Sequence, residues 1–149
     1  MRLSFDSNIL VYAADRDAGK KHAMAVDLLD RASDSDCILT LQSLTEFFRA
    51  VTQKGKRTPT EAAGFVNDWL AIFPVFAADE RCLTGAIEAV RQHTLAFWDA
   101  MLWSTARQAN CRLLLTEDLH DGQTIGGVTF VNPFAAKNAT LIEAALPRP

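Results

Sequence analysis

The stretch CRLLLTED, Cys111 to Asp118, is a short, near-continuous apolar run that ends abruptly in acid. Such a run, here Cys111 to Thr116, marks a central strand of a parallel sheet, buried on both faces. At its carboxyl end stand a hydroxyl, Thr116, and an acid, Asp118. Ligand sites in open α/β sheets form outside the carboxyl ends of the strands, and three further acids occupy comparable places. Asp6 in SFDSNIL ends the alternating strand Leu3 to Phe5, while Glu46 in SLTEFFRA and Asp99 in AFWDAMLW lie in first turns of expected helices. Carboxylates forced together repel, and a dry cluster of them has raised pKa values. A hard divalent cation relieves that repulsion, and carboxylate oxygens are the donors that Mg²⁺ or Mn²⁺ prefer. Asp6, Glu46, Asp99 and Asp118 therefore point to a metal-dependent site for phosphate chemistry.

Strands and helices alternate outward from this run. Asp6-Ser7-Asn8 is a helix-start cluster whose side chains accept from free N–H groups, and a short helix follows through Tyr12 and Ala13. After a polar turn, Asp15 to Gly19, helical spacing of Ala23, Val26 and Leu29 predicts a helix over His22 to Arg31. Cys37 to Leu41 reads as a buried strand. Ser43-Leu44-Thr45-Glu46 matches a capping box, with Ser43 at the N-cap and Glu46 at N3, and opens a helix ending near Gly55. Thr58-Pro59-Thr60-Glu61 is a second box, with proline at its favoured first helical position, for a helix to about Ile72. Pro74 to Ala77 is a short strand candidate, and Asp79 caps a helix through Arg91. Phe97 to Asn110 is the clearest helix. Gly122 to Gly127 reads as a loop before a last strand, Val128 to Val131, stopped by Asn132-Pro133. The small, apolar segment Ala135 to Leu146 predicts a terminal helix at the surface or at a dimer contact. This alternation implies right-handed crossovers and a parallel sheet covered on both faces. The expected fold is α/β, a three-layer α/β/α single domain over residues 1–149, with its core over about 3–134.

With 49% apolar and 22% charged residues among 149, the chain is ordinary for a globular domain and unlike a disordered one. The start, MRLSFDSNIL, has an acid inside its apolar stretch and makes a poor signal peptide. No window approaches the ~18–20 uninterrupted apolar residues of a membrane span, so the expected location is the cytoplasm. Cys37, Cys82 and Cys111 form no CxxC pair, which argues against a disulfide framework or a zinc ribbon. His22, His93 and His120 are equally isolated. A net charge of −3 is unusual for a nucleic-acid binder, but the acidic cluster supplies several of the negative charges and bound metal would cancel them locally.

Each acid also has a simpler account. Asp6 fits a helix cap, Glu46 a capping box, and Asp99 a first-turn acid favoured by the helix dipole. Phe97, Trp98, Ala100, Met101 and Leu102 around Asp99 are all apolar, however, and a charge there needs more than a dipole. A phospho-accepting receiver domain would need a lysine on a late strand, and none occurs between Lys56 and Lys137. A haloacid-dehalogenase-type phosphatase would need DxD after the first strand, where this chain has Asp6-Ser7-Asn8. Arg49, one helical turn beyond Glu46, is placed to reach phosphate at the cleft edge.

The segments FDSNILVY, TEFFRAV, FWDAMLWSTARQANCRLLLTEDLHDG and GGVTFVNPF together resemble the PIN domain, and within it the toxin nuclease of virulence-associated (VapBC-type) toxin–antitoxin modules. They span about Leu3 to Phe134, with FWDA and LLTEDLHDG the most specific. The resemblance implies a parallel sheet with helices on both sides and an acidic quartet at Asp6, Glu46, Asp99 and Asp118. It implies an endoribonuclease using Mg²⁺ or Mn²⁺, a cognate antitoxin that blocks the site, and a homodimer. It also assigns a supporting hydroxyl beside the acids to Ser7 and Thr116, with Asp121 a further acid of the same loop, supporting or spectator. The alternative is a catalytically silent PIN-like module that binds RNA or a partner.

Overall fold

Strand β1, Leu3–Phe5, is buried at every position and lies parallel to β4, Leu113–Leu115, with Leu3 opposite Leu113 and Phe5 opposite Leu115. The computed structural model describes residues 1–149. On its other side β4 pairs in parallel with β6, Val128–Val131, so the apolar run is central, as its composition demands. Strand β5, Thr124–Ile125, turns back antiparallel onto β6 and closes that edge. Beyond β1, strand β2, Leu39–Thr40, pairs in parallel with β3, Val75–Phe76. A parallel bridge between Leu3 and Cys37 joins the two pieces, with Leu3 N donating to the Asp36 carbonyl and Ile38 N to the Leu3 carbonyl, both at 3.1 Å. The five parallel strands thus present their carboxyl ends along one edge.

Alternate residues of β4 enter different cores, the period-two consequence of a pleated strand. Leu113 and Leu115 pack with Leu3, Phe5 and the helices α1, Ser7–Ala14, α2, Lys20–Ala32, α3, Leu41–Gln53, and α4, Pro59–Ile72. Leu114 packs with Phe130 and the helices α5, Glu80–His93, and α6, Phe97–Gln108, on the opposite face. This is the expected three-layer arrangement, with the sheet mixed rather than wholly parallel because β5 occupies the segment expected to be a loop.

Helix α3 starts two residues before the expected cap. Thr40 is its N-cap, accepting from Ser43 N at 3.0 Å. The Ser43 hydroxyl is buried and donates instead to the Phe5 carbonyl at 2.9 Å, so Ser43-to-Glu46 is not a capping box. The strand accordingly ends at Thr40 and passes into the helix without a loop. The second box is present as read: Glu61 N donates to Thr58 Oγ1 and Thr58 N to Glu61 Oε1.

The expected terminal helix is α7, Ala139–Ala145. Its Ile142 and the following Leu146 are buried in the same core as β1 and α1, so packing reaches past Phe134. Buried Arg31 on α2 binds this end, pairing with Glu143 at 2.9 Å and donating to the Leu146 carbonyl at 2.8 Å. All three cysteines are free and buried, and burial pushes the Cys111 thiol up to about 12. No helix is long and apolar enough to cross a membrane.

Helices α3 and α4 are locked by aromatic packing. The Phe47 ring meets Trp69 edge to face at 4.7 Å and Phe65 at 6.2 Å, with Phe47 fully buried. Phe47→Ala opens a cavity there, with an expected loss of about 3–5 kcal/mol of unfolding free energy. Urea denaturation checks this, and a loss below about 1 kcal/mol would contradict the packing described.

Candidate active site

Asp6 leaves β1 and caps α1, so one residue ends the strand and starts the helix. Its backbone N donates to the Leu115 carbonyl at 2.9 Å, extending the β1–β4 ladder by one residue. Its carboxylate is 6% exposed. Oδ1 accepts from Ser7 N at 2.7 Å and, more distantly, from the Ser7 hydroxyl at 3.4 Å, while Oδ2 accepts from the Thr116 hydroxyl at 2.7 Å. Burial raises the Asp6 pKa to about 6; the hydrogen bonds from Thr116 and Ser7 oppose the rise, and the charges of Glu46 and Asp118 add to it.

Thr116, the last residue of the apolar run, is buried and serves two acids at once. Its hydroxyl donates to Asp6 and accepts from Asp118 N at 3.2 Å. Asp118 itself is exposed, and its Oδ2 accepts from Asn8 Nδ2 at 3.0 Å. Asn8 was legible only as part of a helix-start cluster. Asp6 alone caps the helix, which leaves Asn8 free to turn to Asp118. Its Oδ1 is buried without a hydrogen-bond partner.

Asp99 sits half-buried in the first turn of α6, a helix whose N-cap, Ala96, offers no side-chain cap. Burial and the charge of Asp118 raise its pKa. Glu46 is exposed on α3, and its Oε1 accepts from Gln42 Nε2 at 2.8 Å. The same Gln42 amide donates to the Trp98 carbonyl at 2.9 Å, tying α3 to the start of α6. Glu46 thus holds no cap and faces a groove of about 570 Å³ that it lines together with Gln42, Arg49 and Trp98.

The four acids form a chain of mutual repulsion, with Asp6 acted on by Glu46 and Asp118, and Asp99 by Asp118. No three of them close on one point in the geometry of a complete ligand shell. The donors are nonetheless all carboxylate oxygens, the set a hard divalent cation takes, and the strain they share is the kind a cation relieves. In donor chemistry the residues fit Mg²⁺ or Mn²⁺.

Asp121 belongs to a different structure. It accepts from Asn132 N at 2.8 Å and from Asn138 Nδ2 at 3.0 Å, and pairs with Lys137 at 3.2 Å. These partners hold its carboxyl below the usual range, and through them it anchors the segment after β6. Glu117, unremarked in the sequence, receives hydrogen bonds from the Tyr12 hydroxyl and the Lys21 ammonium. It pins the loop carrying Asp118 to α1 and α2. Of the isolated histidines, His22 is engaged elsewhere: its ring Nδ1 pairs with the Tyr12 carbonyl at 2.9 Å.

The PIN domain family model matches residues 4–120. No curated protein matches the chain. Among solved structures, Mycobacterium tuberculosis VapC20, a sarcin-ricin loop cleaving toxin, matches with a TM-score of 0.65 at 14% identity over 78% of this chain and 89% of its own. A toxin–antitoxin complex from Klebsiella pneumoniae matches at 0.62 and 22% identity, covering 89% and 98%. VapBC-1 of nontypeable Haemophilus influenzae matches at 0.63 and 12% identity, covering 91% and 100%. At such identities these likenesses carry the fold.

The burial of Asp6 has a measurable consequence without metal. Its folded pKa of about 6 exceeds the ~3.9 of an unfolded aspartate, so the native state holds the proton more tightly. Stability in EDTA is therefore expected to fall as pH rises from about 4 to about 6 and then level off. Asp6→Asn removes the Asp6 share of that dependence, leaving the share of Asp99, and is expected to exceed the parent by about 1–3 kcal/mol at pH 7, converging with it near pH 4. Urea unfolding across this range checks it, and parallel profiles for the two chains would refute it.

Proposed function

This chain belongs to the PIN domain family, and from that membership we propose that it is a metal-dependent endoribonuclease of the VapC type, the toxin of a toxin–antitoxin pair. The observation that carries the proposal is the set of four acids, brought from residues 6, 46, 99 and 118 toward the carboxyl ends of the parallel strands and coupled by repulsion. VapC20, described as cleaving the sarcin-ricin loop, and the Klebsiella toxin–antitoxin complex share this fold and lend the reading support.

When bound, Mg²⁺ or Mn²⁺ supplies a more acidic water and offsets charge on the phosphate. Asp6, Asp99 and Asp118 are the residues that would hold the ion. Thr116 fixes the Asp6 carboxylate and the backbone of Asp118, and Asn8 fixes the Asp118 side chain, so two of the three ligands are oriented before substrate arrives. Glu46, which lines the adjoining groove, would orient the attacking water or hold a second ion. Water attacks the phosphodiester, and the products carry 5′-phosphate and 3′-hydroxyl ends. No attack by the ribose 2′-hydroxyl is involved, so no pair of histidines is required. Arg49, exposed beside Glu46, meets phosphate at the groove edge. Position and electrostatics, rather than a protein nucleophile, carry the rate. An antitoxin that covers the site and a homodimer complete the proposal, which places the protein in the cytoplasm.

Purified protein freed of any bound partner is expected to cut total RNA into discrete fragments with Mg²⁺ or Mn²⁺, and to stop in EDTA. Asp6→Asn and Asp99→Asn are each expected to reduce cleavage to background while remaining folded by circular dichroism. Full activity in both variants, with contaminating nuclease excluded, would sink the mechanism. Absence of cleavage by the folded parent in either metal would favour a silent RNA- or partner-binding module. Arg49→Ala is expected to lower the slope of log affinity against log salt by about 0.7, the value of one phosphate contact to a single strand. An unchanged slope would remove Arg49 from the substrate path.

A further inference from the structure

Trp98 immediately precedes Asp99, and its indole stands in solvent. It is 63% exposed, whereas Trp69 and Trp103 are 6% and 3% exposed. Phe97, itself 41% exposed, meets it edge to face at 5.0 Å and supports one side of the ring. The backbone beneath the indole is fixed by the Gln42 amide, which holds the Trp98 carbonyl and the Glu46 carboxylate together. One groove of about 570 Å³ is lined by Glu46, Arg49 and Trp98, with Leu41 and Met101 in its apolar wall.

An acid of the proposed centre, a cation and a flat aromatic face therefore share one groove. A ligand that satisfies all three has an anionic group for Arg49 and a planar apolar group for Trp98, joined by a link that passes the acids. A nucleotide of the substrate strand has this form. A purely apolar partner would strip water from Glu46 and Arg49 without replacing it, a costly exchange. Bases in a duplex are stacked on one another, whereas unpaired bases splay out onto aromatic side chains. We propose that Trp98 is a stacking platform for an unpaired base next to the scissile phosphate. The proposal rests on the nuclease reading and adds to it a base-binding residue.

All three indoles emit, but only Trp98 is open to contact by a ligand, so quenching that is absent from Trp98→Phe reports Trp98, and affinities of the variants are read from the anisotropy of a labelled oligonucleotide. In an Asp99→Asn background with Mg²⁺, a ten-nucleotide oligoadenylate is expected to quench the emission saturably, and a duplex of the same length to leave it nearly unchanged. Trp98→Ala is expected to weaken oligoadenylate binding by roughly 5- to 100-fold, the range of one base stacked on an aromatic ring, while Trp98→Phe retains most of it. In the otherwise native chain, Trp98→Ala is expected to lower kcat/KM on unpaired RNA by a similar factor.

Equal oligoadenylate affinity in the alanine and phenylalanine variants, with cleavage intact in the parent, would overturn the platform and leave the nuclease standing. If Trp98→Ala instead changed only the mass seen by light scattering, the indole would be a contact between copies of the chain, which also overturns it. Absence of both cleavage and oligonucleotide binding in the parent would remove the two readings together.

Discussion

The hydroxyl of Thr116 and the carboxylate of Asp6, 2.7 Å apart, join the carboxyl ends of two neighbouring strands in a place water barely reaches. A carboxylate there is costly, because removing its solvent disfavours the charged form. The sheet meets part of that cost with the Thr116 hydroxyl and the Ser7 amide, and leaves the rest uncompensated. That residue of strain gives the acidic cluster its character. Asp6 cannot be moved without breaking the ladder from its own amide to Leu115, so the acids brought beside it meet a charge that stays in place.

Helix starts bring the others near it. Helix α3 begins directly from β2 because Thr40 serves as both strand end and N-cap, and Ser43 ties its first turn to the Phe5 carbonyl, one residue before Asp6. The aromatic cluster of Phe47, Phe65 and Trp69 then fixes the buried face of the helix against α4 and leaves Glu46 exposed. Helix α6 has no side-chain cap, and the acid in its first turn is free to serve the cleft. Strand ends and helix starts meet along one edge for a topological reason, since every strand carrying an acid or a helix into the site runs in the same direction.

The central strand, the layers and the positions of Asp6, Asp99 and Asp118 were legible because each depends on local pattern: an apolar run, a strand length, an acid at a strand end or helix start. Glu46, expected in the first turn of its helix, lies in the second because α3 starts at Leu41. Thr116 was legible for the same reason. What escaped were choices settled by distant partners. Thr40 and Ser43 are both able to cap a helix, and the choice turned on the Phe5 carbonyl, far away in sequence. Asp121 sits in the same loop as Asp118, yet its partners Asn132 and Asn138 claim it. Asn8, Gln42 and Glu117 look like ordinary polar residues until the fold sets Asp118, Trp98 and Tyr12 beside them. Strand β5 is two residues long and borders glycines, too short to announce itself beside β6.

The buried Arg31 makes the fold depend on residues far along the chain. Its guanidinium lies on α2 beside Asp27, and it is also held by the Leu146 carbonyl and Glu143. Without those two, α2 would keep Asp27 alone as a partner for the cation, next to an open slot where Ile142 and Leu146 belong. Glu143 is half exposed, so the closure rests on the Leu146 carbonyl and the apolar contacts of Ile142 and Leu146 more than on the ion pair. Chains that stop beyond the acids but short of Leu146 therefore contain the whole proposed catalytic set and still lack the closure that holds it in shape.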